Sequence, residues 1–151
     1  WEPSFYIYGP KTPWRATQEW AKDNSPLDAM FISPPHMFGY YTPDWRVFSE
    51  RATVATIPEM MEIPFDPDFS ESFQLRFGAI AQGALESFDG NSIHTLQITE
   101  QAFYANTTDD FINLACEFSA DYLVVEDSHP YPFYVIYQNS GFILYQLPGC
   151  P

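Results

Sequence analysis

Basic residues are scarce in this chain: six lysines and arginines stand against twenty aspartates and glutamates, for a formal charge of −14 at pH 7. Nucleic-acid binding requires cationic side chains that neutralise phosphates and release counterions, so the charge disfavours DNA and RNA and no nucleic-acid partner is expected. The same shortage argues against docking on anionic headgroups through a basic patch. It suits the outer side of a membrane, where lysine and arginine are depleted. Plain solubility accounts for the charge equally well.

Long apolar runs are also missing. No stretch approaches the roughly eighteen consecutive apolar residues of a membrane span, and Trp1-Glu2-Pro3-Ser4 lacks an initiator methionine, a basic n-region and an apolar h-region. The chain reads as a soluble fragment. Only two cysteines are present, Cys116 and Cys150, too few for a disulfide framework or a redox motif. Cys116 lies among Ile112, Leu114, Ala115 and Phe118 at helical spacing, which points to a buried, inert thiol. A bridge to Cys150, in the Pro-Gly-Cys-Pro tail, is permitted in an oxidising compartment.

The sequence carries no G-x-S-x-G elbow, no H-E-x-x-H, no G-x-G-x-x-G and no Walker loop. His36, His94 and His129 stand apart, without the i,i+4 spacing of a helical metal site. Asp66-x-Asp68-x-Ser70 begins like a calcium loop, but position 71 is Glu instead of the turn glycine and position 77 is Phe instead of the bidentate acid. No metal and no cofactor is expected. With so many acids, carboxylates about 5–10 Å apart arise by chance, so glycoside hydrolysis has no specific support.

What the chain has is core-forming material. Of its 151 residues 46% are hydrophobic and 19% aromatic, which rules out disorder despite fourteen prolines. That length fits one domain. We expect a linker or edge strand over 1–11, a single α/β domain over 12–147 and a tail over 148–151.

Ser4 to Tyr8 is a strand or the end of a linker. Thr12-Pro13 then reads as N-cap and first helical residue of a helix running to about Asp23, with Trp14, Thr17, Ala21 and Trp20 inward. Asp28 to Ser33 is a near-continuous apolar run, suited to a strand covered on both faces. Val47 to Ile57 contains a second strand, β-branched from Arg51 onward. Asp66-Pro67 opens a helix to about Ser87, with Phe69, Phe73, Phe77, Ile80, Ala81 and Ala84 on one stripe.

After the Phe88-Asp89-Gly90-Asn91 turn, Ser92 to Ile98 is a strand candidate and Thr99 to Asn106 is ambiguous. Thr107 to Asp110 has the look of a capping box before a helix with Phe111, Leu114, Ala115 and Phe118 in register, which also accounts for the glycosylation sequon at Asn106. Ala120 to Glu126 is the next buried strand. Gln138-Asn139-Ser140-Gly141 joins Tyr134–Tyr137 and Phe142–Tyr145 as a hairpin. The fold class is α/β: a small Rossmann-like sandwich with a mixed, mostly parallel sheet, flanking helices and a C-terminal antiparallel hairpin.

Open α/β sheets bind ligands beyond the carboxyl ends of their strands. That edge should gather Ser33 to Tyr41 with Glu126-Asp127-Ser128-His129. His36, Tyr40, Tyr41, Trp45 and His129 are therefore candidates for a shallow aromatic and polar pocket that suits sugars. The competing reading is a proline-stiffened loop packed on its own aromatics. Arg46, Glu50 and Arg51 form a second cluster. On a strand, Arg46 and Glu50 share a face and Arg51 takes the other, leaving one arginine for a phosphate or carboxylate. Its competing reading is an ion pair that clamps the loop.

The order W-x5-W-A-x2-N-(S/T)-P-x-D-A-x-F-I-x-P-P from Trp14 to Pro35, followed by Trp45-Arg46-Val47-Phe48-Ser49-Glu50-Arg51, resembles the extracytoplasmic C-terminal domain of an uncharacterised family of multi-span bacterial membrane proteins, some of them thought related to membrane-embedded sugar transferases. The likeness weakens through Asp121–Glu126 and Phe142–Leu147. Where other members carry a basic or tryptophan-containing stretch, this chain has Pro58-Glu59-Met60-Met61-Glu62. The resemblance implies membrane helices upstream of Trp1, a periplasmic location and catalytic carboxylates in the membrane portion. It implies for this chain a non-catalytic accessory role, with the membrane portion of its own parent chain as partner and a glycan or lipid headgroup as ligand. The alternative is a self-contained hydrolase or transferase acting on a small or saccharide substrate, with carboxylates and His36 or His129 as acid and base.

Overall fold

Thr12 and Pro13 open the first helix by satisfying and removing donors that would otherwise be orphaned. In the computed structural model, which describes residues 11–39 and 41–150, the Thr12 side chain accepts from the Arg15 N–H and α1 runs Pro13–Asn24. Trp14, Thr17 and Ala21 are buried, and Trp20 stacks on Tyr137 with ring centroids 5.0 Å apart. The expected strand or linker at Ser4–Tyr8 lies outside the described residues.

Among the described residues five strands form one sheet in the order β2-β1-β3-β5-β4: β1 (Met30–Ile32), β2 (Ala52–Thr53), β3 (Tyr122–Glu126), β4 (Tyr134–Gln138) and β5 (Phe142–Gln146). β1 runs parallel to both neighbours, with Phe31 opposite Thr53 and Tyr122, while β5 is antiparallel to β3 and β4. The α/β class, the mixed sheet and the C-terminal hairpin are as the sequence predicts. In the hairpin turn the Asn139 carboxamide oxygen accepts from the N–H groups of Gly141 and Phe142, and its nitrogen donates to Pro13 and Thr17 of α1.

Side chains alternate across these strands and so divide the core in two. Leu123, Val125, Ile143 and Tyr145 face a layer that includes Phe73, Phe77 and Ile80 of α3 (Pro67–Ile80), Phe103 of α4 (Ser92–Tyr104) and Phe111 of α5 (Thr108–Phe118). Val124, Phe142 and Leu144 face Trp14, Ala21 and Trp45 on the other side. Each of those buried phenylalanines contributes about 2 kcal/mol of transfer free energy, so the first layer is the larger source of stability.

Three elements depart from expectation. The second strand shrinks to Ala52–Thr53, and Arg46–Ser49 is a helical turn, α2. Asp44 Oδ1 accepts from the Arg46 N–H, Ser49 Oγ donates to the Trp45 carbonyl, and Glu50 closes the turn at φ 51°; these local bonds outweigh the β-branched propensity that follows. Ser92–Ile98 is not a strand but the first half of α4, because the Asn91 side chain caps it by accepting from Ile93 and His94. Thr99 and Phe103 then bury at helical spacing. α3 stops at Ile80, seven residues early, where the chain turns through Gly83 at φ 78°.

The capping box holds: Thr107 accepts from Asp110 N–H and the Asp110 carboxylate accepts from Thr107 N–H at 2.8 Å. Asp66 likewise caps α3, so the partial calcium-loop pattern is a helix cap. Cys116 is not a free thiol. It bonds to Cys150 and ties the C-terminal segment to α5.

Candidate functional site

β1 and β3 are parallel neighbours, so their carboxyl ends open on the same edge of the sheet. β1 delivers Ser33-Pro34-Pro35-His36. The two prolines are buried, and the Pro35 carbonyl accepts from the Ile57 N–H, which fixes the loop that carries His36. β3 delivers Glu126, and a turn closed by His129 N–H donating to the Glu126 carbonyl brings His129 back over the edge. α4 packs against the same place and presents Glu100 and Tyr104 from one face, four residues apart.

His36 Nε2 lies 3.7 Å from Glu126 Oε2, an ion-pair contact longer than a hydrogen bond. The His36 side chain is 9% exposed and that of Glu126 28%. Two polar atoms here, His36 Nδ1 and Glu126 Oε2, are buried without a hydrogen-bond partner among the described residues. One donor atom from each of His36, Glu100 and Glu126 falls within 4.8 Å of the others. Such orphans cost about 1–3 kcal/mol each unless a group outside the chain pairs with them; Gln18 Oε1 and Trp45 Nε1 are buried in the same way elsewhere in the fold.

Aromatic rings frame these groups. Tyr104 stacks on His129 with centroids 3.8 Å apart and an interplanar angle of 11°, and meets His36 edge-on at 5.9 Å. The Tyr104 hydroxyl accepts from the Glu126 N–H at 2.9 Å. Its pKa is pushed far above the usual tyrosine value, chiefly by burial, so it keeps its proton. The neighbouring His36 imidazole holds Glu126 below the ordinary carboxylate range, against the opposing effect of burial. The edge therefore offers an ionised carboxylate, an imidazole, a neutral phenol and a stacked ring pair.

Of the other residues singled out, Tyr40 lies outside the described residues. Tyr41 is 61% exposed, and its carbonyl accepts from the Thr12 hydroxyl. Trp45 is 1% exposed, packed between Trp14 and Phe31 at 5.5 and 4.9 Å, so it belongs to the core and not to a surface pocket.

Arg46, Glu50 and Arg51 do not share a strand. Arg46 grips Asp44 at 3.0 Å and Glu59 at 2.9 Å, and Arg76 also binds Glu59, at 3.0 Å. Glu50 pairs with Lys22. Arg51, 7% exposed, donates to the carbonyls of Lys22 and Ser25 at the end of α1 and to those of Ser49 and Glu50. Each arginine is bound within the fold.

Glu100, Tyr104, Asp44, Glu59 and Arg76 are functional or bracing residues that no sequence motif singles out. Asn91 before a run with buried residues at 99 and 103 was the available signal for α4, and a helix there puts Glu100 and Tyr104 on one face. Glu59 sits in the acidic Pro58–Glu62 departure, and its 3% exposed side chain is the counter-charge to Arg46 and Arg76. No local pattern announces that pairing.

The molecule is thus a mixed α/β domain with a polar, partly desolvated seat at the carboxyl edge of its parallel strands. Residues 12–80 match a family model described as a domain of unknown function, DUF6798. The match takes in His36 and the Arg46–Glu59 pair and stops before Glu100, Tyr104 and Glu126. No curated protein and no solved structure matches the chain.

Proposed function

We propose that the chain is a non-catalytic extracytoplasmic binding domain of a multi-span membrane protein, and that it holds a hydroxyl-rich ligand, a glycan, at the edge formed by His36, Glu126, Tyr104 and His129. The observation that carries the binding role is the pair of buried, unpartnered atoms His36 Nδ1 and Glu126 Oε2 beside a stacked aromatic pair. Sugars place apolar faces on rings and donate hydroxyls to such acceptors. The Cys116–Cys150 bond supports an oxidising compartment, since disulfides persist there and are rare in the cytosol. The membrane context rests on the Trp14–Arg51 resemblance.

Intact mass and alkaline extraction of the native product, detected with an antibody against this chain, test the context. A product far above 17.4 kDa that stays with the membrane supports it; a soluble product near that mass overturns it. Nuclear magnetic resonance (NMR) titration with soluble oligosaccharides tests the seat, with amide shifts expected at His36, Glu126 and His129.

The His36–Glu126 pair also favours a second reading, a self-contained enzyme in which His36 transfers a proton and ionised Glu126 steadies its imidazolium. Turnover of the bound saccharide by the isolated chain, lost in His36→Gln, would decide for it.

A further inference from the structure

We propose that His36, Glu100 and Glu126 form a binding site for a divalent first-row transition ion, with zinc the ion their donors fit best. The proposal deepens the reading of this edge as a ligand seat and rests on it, but does not depend on the membrane context. Three points no farther apart than 4.8 Å share a position within about 2.8 Å of each, so side-chain shifts of under about 1 Å reach the 2.0–2.2 Å of zinc–nitrogen and zinc–carboxylate bonds.

The three donors come from three elements: the loop after β1, the face of α4 and the end of β3. His36 is the observation that separates this group from an ordinary acidic cluster. Its side chain is nine-tenths buried and turns Nε2 toward Glu126 Oε2 at 3.7 Å, while that oxygen and the second ring nitrogen, Nδ1, have no hydrogen-bond partner among the described residues. One imidazole and two carboxylates give two negative charges for a dication. Magnesium and calcium take oxygen donors almost exclusively, whereas an imidazole in the set selects zinc or its first-row neighbours.

The surroundings act as an outer shell. The Tyr104 hydroxyl holds the main chain of Glu126, and Pro34-Pro35 stiffen the approach of His36. Three protein donors leave a fourth tetrahedral position for water or a ligand oxygen. That position supplies the contact through which a hydroxyl-rich ligand would be held.

The test is calorimetric titration of the chelator-treated 151-residue chain with zinc chloride, repeated on His36→Gln, Glu100→Gln and Glu126→Gln after circular dichroism confirms their fold. Stoichiometric binding weakened at least tenfold by each substitution supports the site. Absence of saturable binding, or unchanged affinity in His36→Gln, overturns it. A second measurement needs only the wild type. Zinc should move the ring resonances of His36 and leave His94, whose Nδ1 bonds Asp89 at the exposed surface, in place; movement of His94 alone overturns the proposal. If oligosaccharides perturb the edge and zinc does not bind, the metal site falls and the seat stands. If neither binds, both fall.

Discussion

The Glu126 main-chain N–H donates to the Tyr104 hydroxyl across 2.9 Å, so a side chain of α4 supplies the acceptor that no strand supplies at the end of β3. β1 ends at Ile32, opposite Leu123, and cannot reach that far. Tyr104→Phe removes the acceptor and keeps the ring stacked on His129. The exposed cost of an unpaired, partly buried N–H is about 1–2 kcal/mol. Urea denaturation should show that loss; a change below about 0.5 kcal/mol would mean that water replaces the hydroxyl.

Arg51 holds the end of α1 in the same manner, through the carbonyls of Lys22 and Ser25. Helix C-termini leave carbonyls unsatisfied and carry partial negative charge, which a buried guanidinium answers on both counts. Arg51→Met should cost about 2–4 kcal/mol, because several buried acceptors lose their partner at once. Arg51→Lys should recover only part of it, since an ammonium lacks the planar fork. Glycan affinity, read by NMR titration, should stay unchanged in the lysine variant.

The pH dependence of stability should carry the mark of Asp44. Burial alone would raise its pKa, but hydrogen bonds from Arg46 and Thr56 outweigh it and hold the carboxyl below the usual aspartate value. A folded pKa below the unfolded one, about 3.9, stabilises fully above the unfolded value. That stability is lost as the pH falls through the folded one. The stability gap between wild type and Asp44→Asn should therefore be largest near neutrality and shrink below about pH 4. Glu59 acts in the opposite sense. Burial outweighs the pull of Arg76 and Arg46 and raises its pKa, and the Asp44 charge adds to the rise, so the difference between the two proteins reports Asp44 together with its effect on Glu59. A gap constant from pH 7 to 3 would show that Asp44 keeps no such bonds in solution.

Local chemistry explains what was legible. Thr12-Pro13, Asp66-Pro67 and Thr107–Asp110 announce their helices because caps are made within three residues. The apolar runs at Asp28–Ser33 and Ala120–Glu126 announce buried strands, and through them the carboxyl edge where His36 and His129 both lie against Tyr104. The Ser92 helix was hidden because Ile93, Leu96 and Ile98 alternate only partly and the burial that decides, at Thr99 and Phe103, comes later. Arg46, Trp45 and Arg51 were misplaced for a different reason. Apart from the local Asp44 bond that turns Arg46 into a helix, their partners Glu59, Trp14 and Lys22 lie at least 13 residues away, and only the folded chain brings them close. Glu100 reaches His36 in the same non-local way.

The seat itself makes the sharpest prediction, because a functional cluster and a structural one respond oppositely to removal. His36 and Glu126 place a ring nitrogen and a carboxylate oxygen in a buried position without hydrogen-bond partners, an arrangement that stability alone would not favour. Removing one member leaves the other uncompensated, so His36→Leu and Glu126→Met should each destabilise, the first by stranding the carboxylate. Removing both replaces a desolvated pair with apolar side chains of similar volume, a change that is commonly neutral or stabilising by about 1–4 kcal/mol. The double variant should therefore be at least as stable as the wild type in urea, with a favourable coupling between the two sites, and should lose ligand binding. A double variant as unstable as the sum of its singles would mean that the two side chains act independently, and would sink the reading of them as a coupled, desolvated pair.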